Sequence, residues 1–335
     1  MRSKAILVFT AAALVWSYVL QAKAEMGHPQ GRVAATIKVG SQPKGVAVSS
    51  DGKIAYVVNS GENSVSVIDL GNGAEITKVS VGESPYDVAL SSKGRAYVIN
   101  NLSRDLSIID TRTNVLEATV KLDWAPTALA ISPDGSKVLA TNGILDIARV
   151  ADSSAIIDET TGETVEKWPV GGLDVTFSPD GKLAYLGNYP VSASTGNLGI
   201  VEPGGKVIAA VQLRDGLAPL RIALSPDGRR AYVLASNYLG EDISELNVID
   251  TISNKIANSV SFEGRLEQLD LALTPDGEHL YLARTFENTI KIIDAESLQE
   301  VGAIEVDSPS YITFSADGKR AYVTSTFSDS LMVIE

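Results

Sequence analysis

Residues 43–59 read PKGVAVSSDGKIAYVVN. Two β-rich runs, Val46-Ala47-Val48 and Ala55-Tyr56-Val57-Val58, flank Asp51-Gly52. Glycine takes positive φ without a Cβ clash, so two such runs joined by Asp-Gly predict a β-hairpin. The phrase returns along the chain: Ser91-Ser92-Lys93-Gly94, Ser132-Pro133-Asp134-Gly135, Ser178-Pro179-Asp180-Gly181, Ser225-Pro226-Asp227-Gly228, Thr274-Pro275-Asp276-Gly277 and Ser315-Ala316-Asp317-Gly318. Proline one residue before the Asp pre-sets φ for the turn. Successive copies are 42, 41, 46, 47, 49 and 41 residues apart, a period that means an array of one supersecondary unit.

The rest of each period supplies two more strands. A third run ends in Ile-Asp, as in Val65-Ser66-Val67-Ile68-Asp69 and Leu246-Asn247-Val248-Ile249-Asp250. A second turn follows, such as Leu70-Gly71-Asn72-Gly73, and then a fourth run, Ile76 to Gly82. Four short strands per unit and seven units predict an all-β, seven-bladed β-propeller with four-stranded antiparallel blades. The last copy stops after a third strand, Ser330 to Glu335, whereas Val33 to Gly40 is a fourth strand without a preceding three. The two ends are therefore expected to complete one blade between them, which removes free sheet edges.

These blades resemble the YVTN-repeat family of seven-bladed propellers (surface-layer and YncE-like proteins). Pro43, Val46, Ala47, Ser49, Asp51, Gly52, Ala55, Tyr56, Val57 and Asn59 match the family's repeat, and the likeness spans essentially all of residues 25–335. The resemblance is specific for fold and poor for function, since propellers of this kind include surface-layer proteins, periplasmic binding proteins, lactonase-like enzymes and redox-enzyme subunits.

Residues 1–24 read as a signal peptide: Arg2 and Lys4, an apolar stretch from Ala5 to Leu20, and the small-x-small ending Ala22-Lys23-Ala24. A retained N-terminal anchor is the alternative. The expectation is an exported single domain over residues 25–335, periplasmic, with secretion or surface display as second choice and no stable membrane insertion after cleavage. The chain has no Cys, which leaves no disulfide and no thiolate chemistry. With Arg2, Lys4 and Lys23 removed, 25 basic residues stand against 41 acidic ones. An acidic body without a basic cluster repels phosphate, so nucleic acid is not an expected partner.

Function is expected on the face built by the residues leading into the inner strands and by the loops joining second and third strands. Six residues before each turn lie Gly45, Asp87, Ala128, Asp174, Arg221, Asp270 and Tyr311, equivalent positions around the ring. Three carboxylates, a guanidinium and a phenol there suggest a polar-ligand or cation site at the channel mouth. Solvated or mutually paired charges are the alternative. Lys44, Tyr86 and Arg104 belong to the same face. Second strands end in Asn59, Asn100-Asn101, Asn142, Asn188-Tyr189, Ser236-Asn237-Tyr238, Arg284 and Ser325. The Asn amides are expected to bond turn backbone, and Arg284 breaks the pattern. The longer loops after Asn142, Asn188 and Asn237 suggest a partner surface, with Phe286, Phe327, Tyr189 and Tyr238 offering apolar contact.

The two His residues, His28 and His279, lie away from this mouth. No Cys-x-x-Cys-His, Gly-rich phosphate loop or Gly-x-Ser-x-Gly elbow is present, so no cofactor and no metal are expected. The leading expectation is a non-enzymatic binding or scaffold protein for a protein partner or small polar ligand. The alternatives are a lactonase-like hydrolase using the mouth carboxylates and Arg221, an accessory factor for redox-cofactor maturation, and a surface-layer component.

Overall fold

The computed structural model describes residues 31–143, 153–189, 195–237, 243–263 and 269–335. The expected signal peptide and Tyr238 lie outside them. Seven four-stranded antiparallel sheets form the blades of a propeller. Blade one holds Pro43–Val48, Ile54–Asn59, Ser64–Asp69 and Ala74–Ser80, and the next five follow the same order. Blade seven combines Pro309–Phe314, Ala321–Ser325 and Ser330–Ile334 with Val33–Lys38, which pairs antiparallel to Ser330–Ile334. Ring closure by the N-terminal strand is thus as expected. Among the described residues, helix is limited to one 3-10 turn, Thr285–Glu287.

The recurring turn has a specific hydrogen-bond chemistry. In blade one Ser49 Oγ donates to Asp51 Oδ1 at 2.7 Å and accepts from Ile54 N at 3.0 Å, while Gly52, at φ +68°, donates to Ser49 O. Ser132, Ser178, Ser225, Thr274 and Ser315 bond their Asp in the same way. The hydroxyl of Ser132 and the amide of Ser136 hold Asp134 down at about 2. In blade two Lys93 replaces the Asp, and Ser91 donates instead to Glu159 of blade three. At the far end of five third strands an Ile-Asp carboxylate caps the next turn, as Asp110 accepts from Arg112 N and Thr113 N, and Asp250 from Ile252 N and Ser253 N.

Seven apolar clusters occupy the seven interfaces between neighbouring blades. The Ala-Tyr pair of the second strand supplies much of this: Tyr56, Tyr97, Tyr232, Tyr281 and Tyr322 are fully buried. Three of their hydroxyls find partners on the next blade: Tyr56 on Asn114 Oδ1 at 2.7 Å, Tyr97 on Glu159 O at 3.4 Å and Tyr232 on Ala295 O at 3.2 Å.

Register defines the faces. Pro43 pairs with Asn59, Pro85 with Asn100 and Pro309 with Ser325. The start of each inner strand therefore lies beside the end of its second strand. Residues leading into inner strands and loops between second and third strands share one face, as expected.

Candidate functional site at the channel mouth

The ring positions do converge, and the inner strands set how. Asp270, 6% exposed, is held from two sides: Arg221 Nε donates to its Oδ1 at 2.6 Å and Ile312 N of blade seven to its Oδ2 at 2.7 Å. Asp174 repeats half of this, accepting from Ile222 N of blade five at 2.7 Å. Both carboxylates thus bridge one blade to the next. Asp87 differs: it accepts from its neighbour Val88 N at 2.8 Å, within its own strand. Gly45 beside it is required, because a Cβ there would stand 2.5 Å from Asp87 Oδ1 and 2.8 Å from Asp87 Cα.

Aromatic rings join the cluster. Arg221 lies over Tyr311, its Cζ 4.9 Å from the ring centroid. Tyr86 meets Tyr311 edge to face with centroids 6.0 Å apart, and Lys44 Nζ sits 5.7 Å from the Tyr86 centroid. Lys44, Tyr86, Asp87, Asp174, Arg221, Asp270 and Tyr311 therefore form one electrostatic group.

The group is short of positive charge. Among the described residues, Asp270 has an ion-pair partner and Asp87 and Asp174 have none. Burial pushes Asp87 up to about 7, with Asp174 and Asp270 adding to the rise against the pull of the Val88 amide and Arg221. Burial likewise pushes Asp174 up to about 6, opposed by Arg221 and the Ile222 amide. Both side chains keep part of their surface open to the channel. Burial also works against the charge of Arg221, but Tyr311 and Asp270 outweigh it and the guanidinium stays charged. Burial, with Tyr86 beside it, raises the Tyr311 phenol. Among the described residues no three His, Cys, Asp or Glu side chains are grouped to hold a metal ion.

The other candidates lie at strand ends or loops of the same face. Arg284 is buried and paired with Glu287. Asn188 and Asn237 are half-buried ends of second strands, and Tyr189 is buried, not the exposed contact expected from sequence. Two Asn amides differ from expectation: Asn59 Nδ2 donates to the hydroxyls of Ser64 and Ser66, and Asn100 Nδ2 to Asp105 and Ser107, on the adjacent strand, whereas Asn101 Nδ2 donates to backbone, at Pro126 O.

Arg104 is exposed and left-handed at φ 53°. The equivalent residues just before third strands, Asn63, Asn288 and Asp329, are also left-handed. Their side-chain oxygens accept the amides of Ser84, Ser308 and Gln42 in the loop that enters the next blade. This interblade latch was not anticipated, although an Asn or Asp directly before a third strand is its signal. Arg104 has no acceptor to offer, and so breaks the pattern.

No family model matches the chain. Among solved structures, a chain of Kuenenia stuttgartiensis hydrazine synthase is similar, with a TM-score of 0.77 and 20% identity over 92% of this chain and 99% of that one. That likeness supports the seven-bladed propeller and nothing finer. Two uncharacterized proteins of Staphylococcus epidermidis, from two strains, are each 25% identical over 198 residues, 52% of this chain and 54% of theirs. The chain spans about half the length of the curated relatives it matches. Among the described residues no helix is long and apolar enough to cross a membrane.

Proposed function

We propose that this chain is a binding propeller, of the YVTN-repeat kind its blades resemble, that receives a cationic group at the channel mouth. The group is an ammonium or guanidinium, carried by a small ligand or by a Lys or Arg of a partner protein. The observation that carries this reading is the imbalance at the mouth. Three carboxylates face the paired Arg221 and the peripheral Lys44, and Asp87 and Asp174 lack ion-pair partners among the described residues. A further cation beside Asp87 and Asp174 offsets both the carboxylate repulsion and the cost of holding their charge in a buried place. The rings of Tyr86 and Tyr311 already lie against cations of the chain itself, which supports the reading. The proposed setting is the periplasm, reached through the signal peptide at residues 1–24.

The test uses butylguanidinium, butylammonium and butyrate, titrated by calorimetry. The two cations bind, more tightly at pH 8 than at pH 5.5; Asp87→Asn narrows the difference, and Asp87→Asn/Asp174→Asn removes it. Binding of butyrate in their place overturns the reading. A hydrolase reading has one observation in its favour: carboxyls displaced to about 7 and about 6 in a partly open cleft suit proton transfer near neutral pH. Lactone hydrolysis that is lost in Asp87→Asn while cation binding is absent would select it.

A further inference from the structure

Two phenylalanines on the channel-mouth face are displayed to solvent, an arrangement that costs free energy unless something covers it. Phe286 is 59% and Phe327 62% exposed, and their ring centroids are 6.2 Å apart. They occupy the same place in the loops of blades six and seven, each directly after a buried Thr. Those threonines fasten the loops. Thr285 Oγ1 donates to Pro309 O at 2.6 Å, and Thr326 Oγ1 donates to Pro43 O at 2.9 Å. The latches from Asn288 to Ser308 and from Asp329 to Gln42 add a second point of attachment to each. The rings are thus presented by backbone that is tied down on both sides, a contact with little loop entropy left to lose.

The same attachments join this pair to the channel. Pro43 is followed by Lys44, and Pro309 is followed two residues later by Tyr311. The strands that anchor the aromatic loops are therefore those that carry two members of the charged cluster. The margin of the pair is mainly acidic: Glu287 (paired with Arg284), Asp329 and the exposed Asp307 stand against Lys38, whose Nζ donates to Ser328 O beside Phe327.

We infer that this face docks a protein segment in which an apolar side chain covers Phe286 and Phe327 while a neighbouring Lys or Arg enters the channel mouth at Asp87 and Asp174. This deepens the cation-binding reading and rests on it. Charge selects the occupant. The acidic margin and a chain of net charge −13 repel anionic lipid headgroups and phosphates, but attract a basic peptide.

The experiment selects random 12-residue displayed peptides, about 40 Å when extended, on the full chain. The enriched peptides carry Lys or Arg near Phe, Leu or Trp. The double variant Phe286→Ser/Phe327→Ser weakens the best synthetic peptide by about tenfold or more, and binds butylguanidinium as the parent does. That last readout separates the two readings, because the cation site survives when the aromatic dock is lost. The inference is overturned by no enrichment, by enriched peptides without a basic residue, or by undiminished peptide binding in the double variant. Preferential capture of phosphatidylglycerol vesicles overturns it as well. If neither butylguanidinium nor an Arg-dependent peptide binds, the cation-binding reading falls with it.

Discussion

Replacing Asp87 by Asn should stabilise the protein, and should do so only above mildly acidic pH. Asn keeps the size of the side chain and an oxygen to accept the Val88 amide, at 2.8 Å in the parent. What it removes is the charge. The parent carboxyl is displaced from 3.8 to about 7, mainly by burial. Between those values the native state holds a proton that the unfolded chain has released, so native stability falls as pH rises through this window. At about 1.4 kcal/mol per pH unit the full shift corresponds to roughly 4 kcal/mol in a dry site. The channel leaves the group partly open to solvent, and screening reduces the expected effect to about 2 kcal/mol. The rest of the cluster is present in both proteins, so its contribution to stability largely cancels in the difference. Urea unfolding at pH 4 and pH 8 measures it. The variant should match the parent at the lower pH and exceed it at the higher. A variant that is less stable at pH 8, or offset equally at both, would show that Asp87 is a structural acceptor and that the mouth is not short of positive charge.

Other substitutions probe the frame around that site. Gly45→Ala puts a methyl 2.8 Å from the Asp87 Cα; a backbone shift is unavoidable, and thermal unfolding should show a loss of about 1–3 kcal/mol. Ile37→Ala, in the strand that closes the ring, empties a 6%-exposed position packed against blade one; it should cost about 2–5 kcal/mol in denaturant unfolding, and an unchanged midpoint would deny the closure. Arg104→Asn places at φ 53° a residue that tolerates the left-handed region and can serve as a latch; it should gain about 1 kcal/mol, whereas a loss would mean that the Arg side chain itself holds the loop.

Local chemistry was enough to specify the blades. Each Ser-x-Asp-Gly turn is closed by its own side chains, each Ile-Asp caps the turn that follows it, and each Ala-Tyr lies on the buried second strand. All of these act within a few residues of one another, so a periodic sequence reports them directly. Ring closure was legible for a related reason: a chain ending on a third strand and opening on a fourth leaves two edges that only each other can satisfy. The candidate positions Asp87, Asp174, Arg221, Asp270 and Tyr311 also followed from the repeat register.

Their roles did not follow. Asp174 reaches the amide of Ile222, 48 residues away, and Asp270 that of Ile312, 42 residues away. Such contacts depend on how closely the inner strands crowd the axis, which no local pattern encodes. The same crowding decides that Gly45 gives room to Asp87, that Arg221 is committed to Asp270, and that two carboxylates are left without an ion-pair partner among the described residues. Tyr189 reads in sequence as a loop aromatic and is buried, while Phe286 and Phe327 remain outside. The repeat determines how many blades there are and which residues face the axis, because those are properties of one unit. The charge balance at the mouth belongs to seven units closed on each other, and only the tertiary structure decides it.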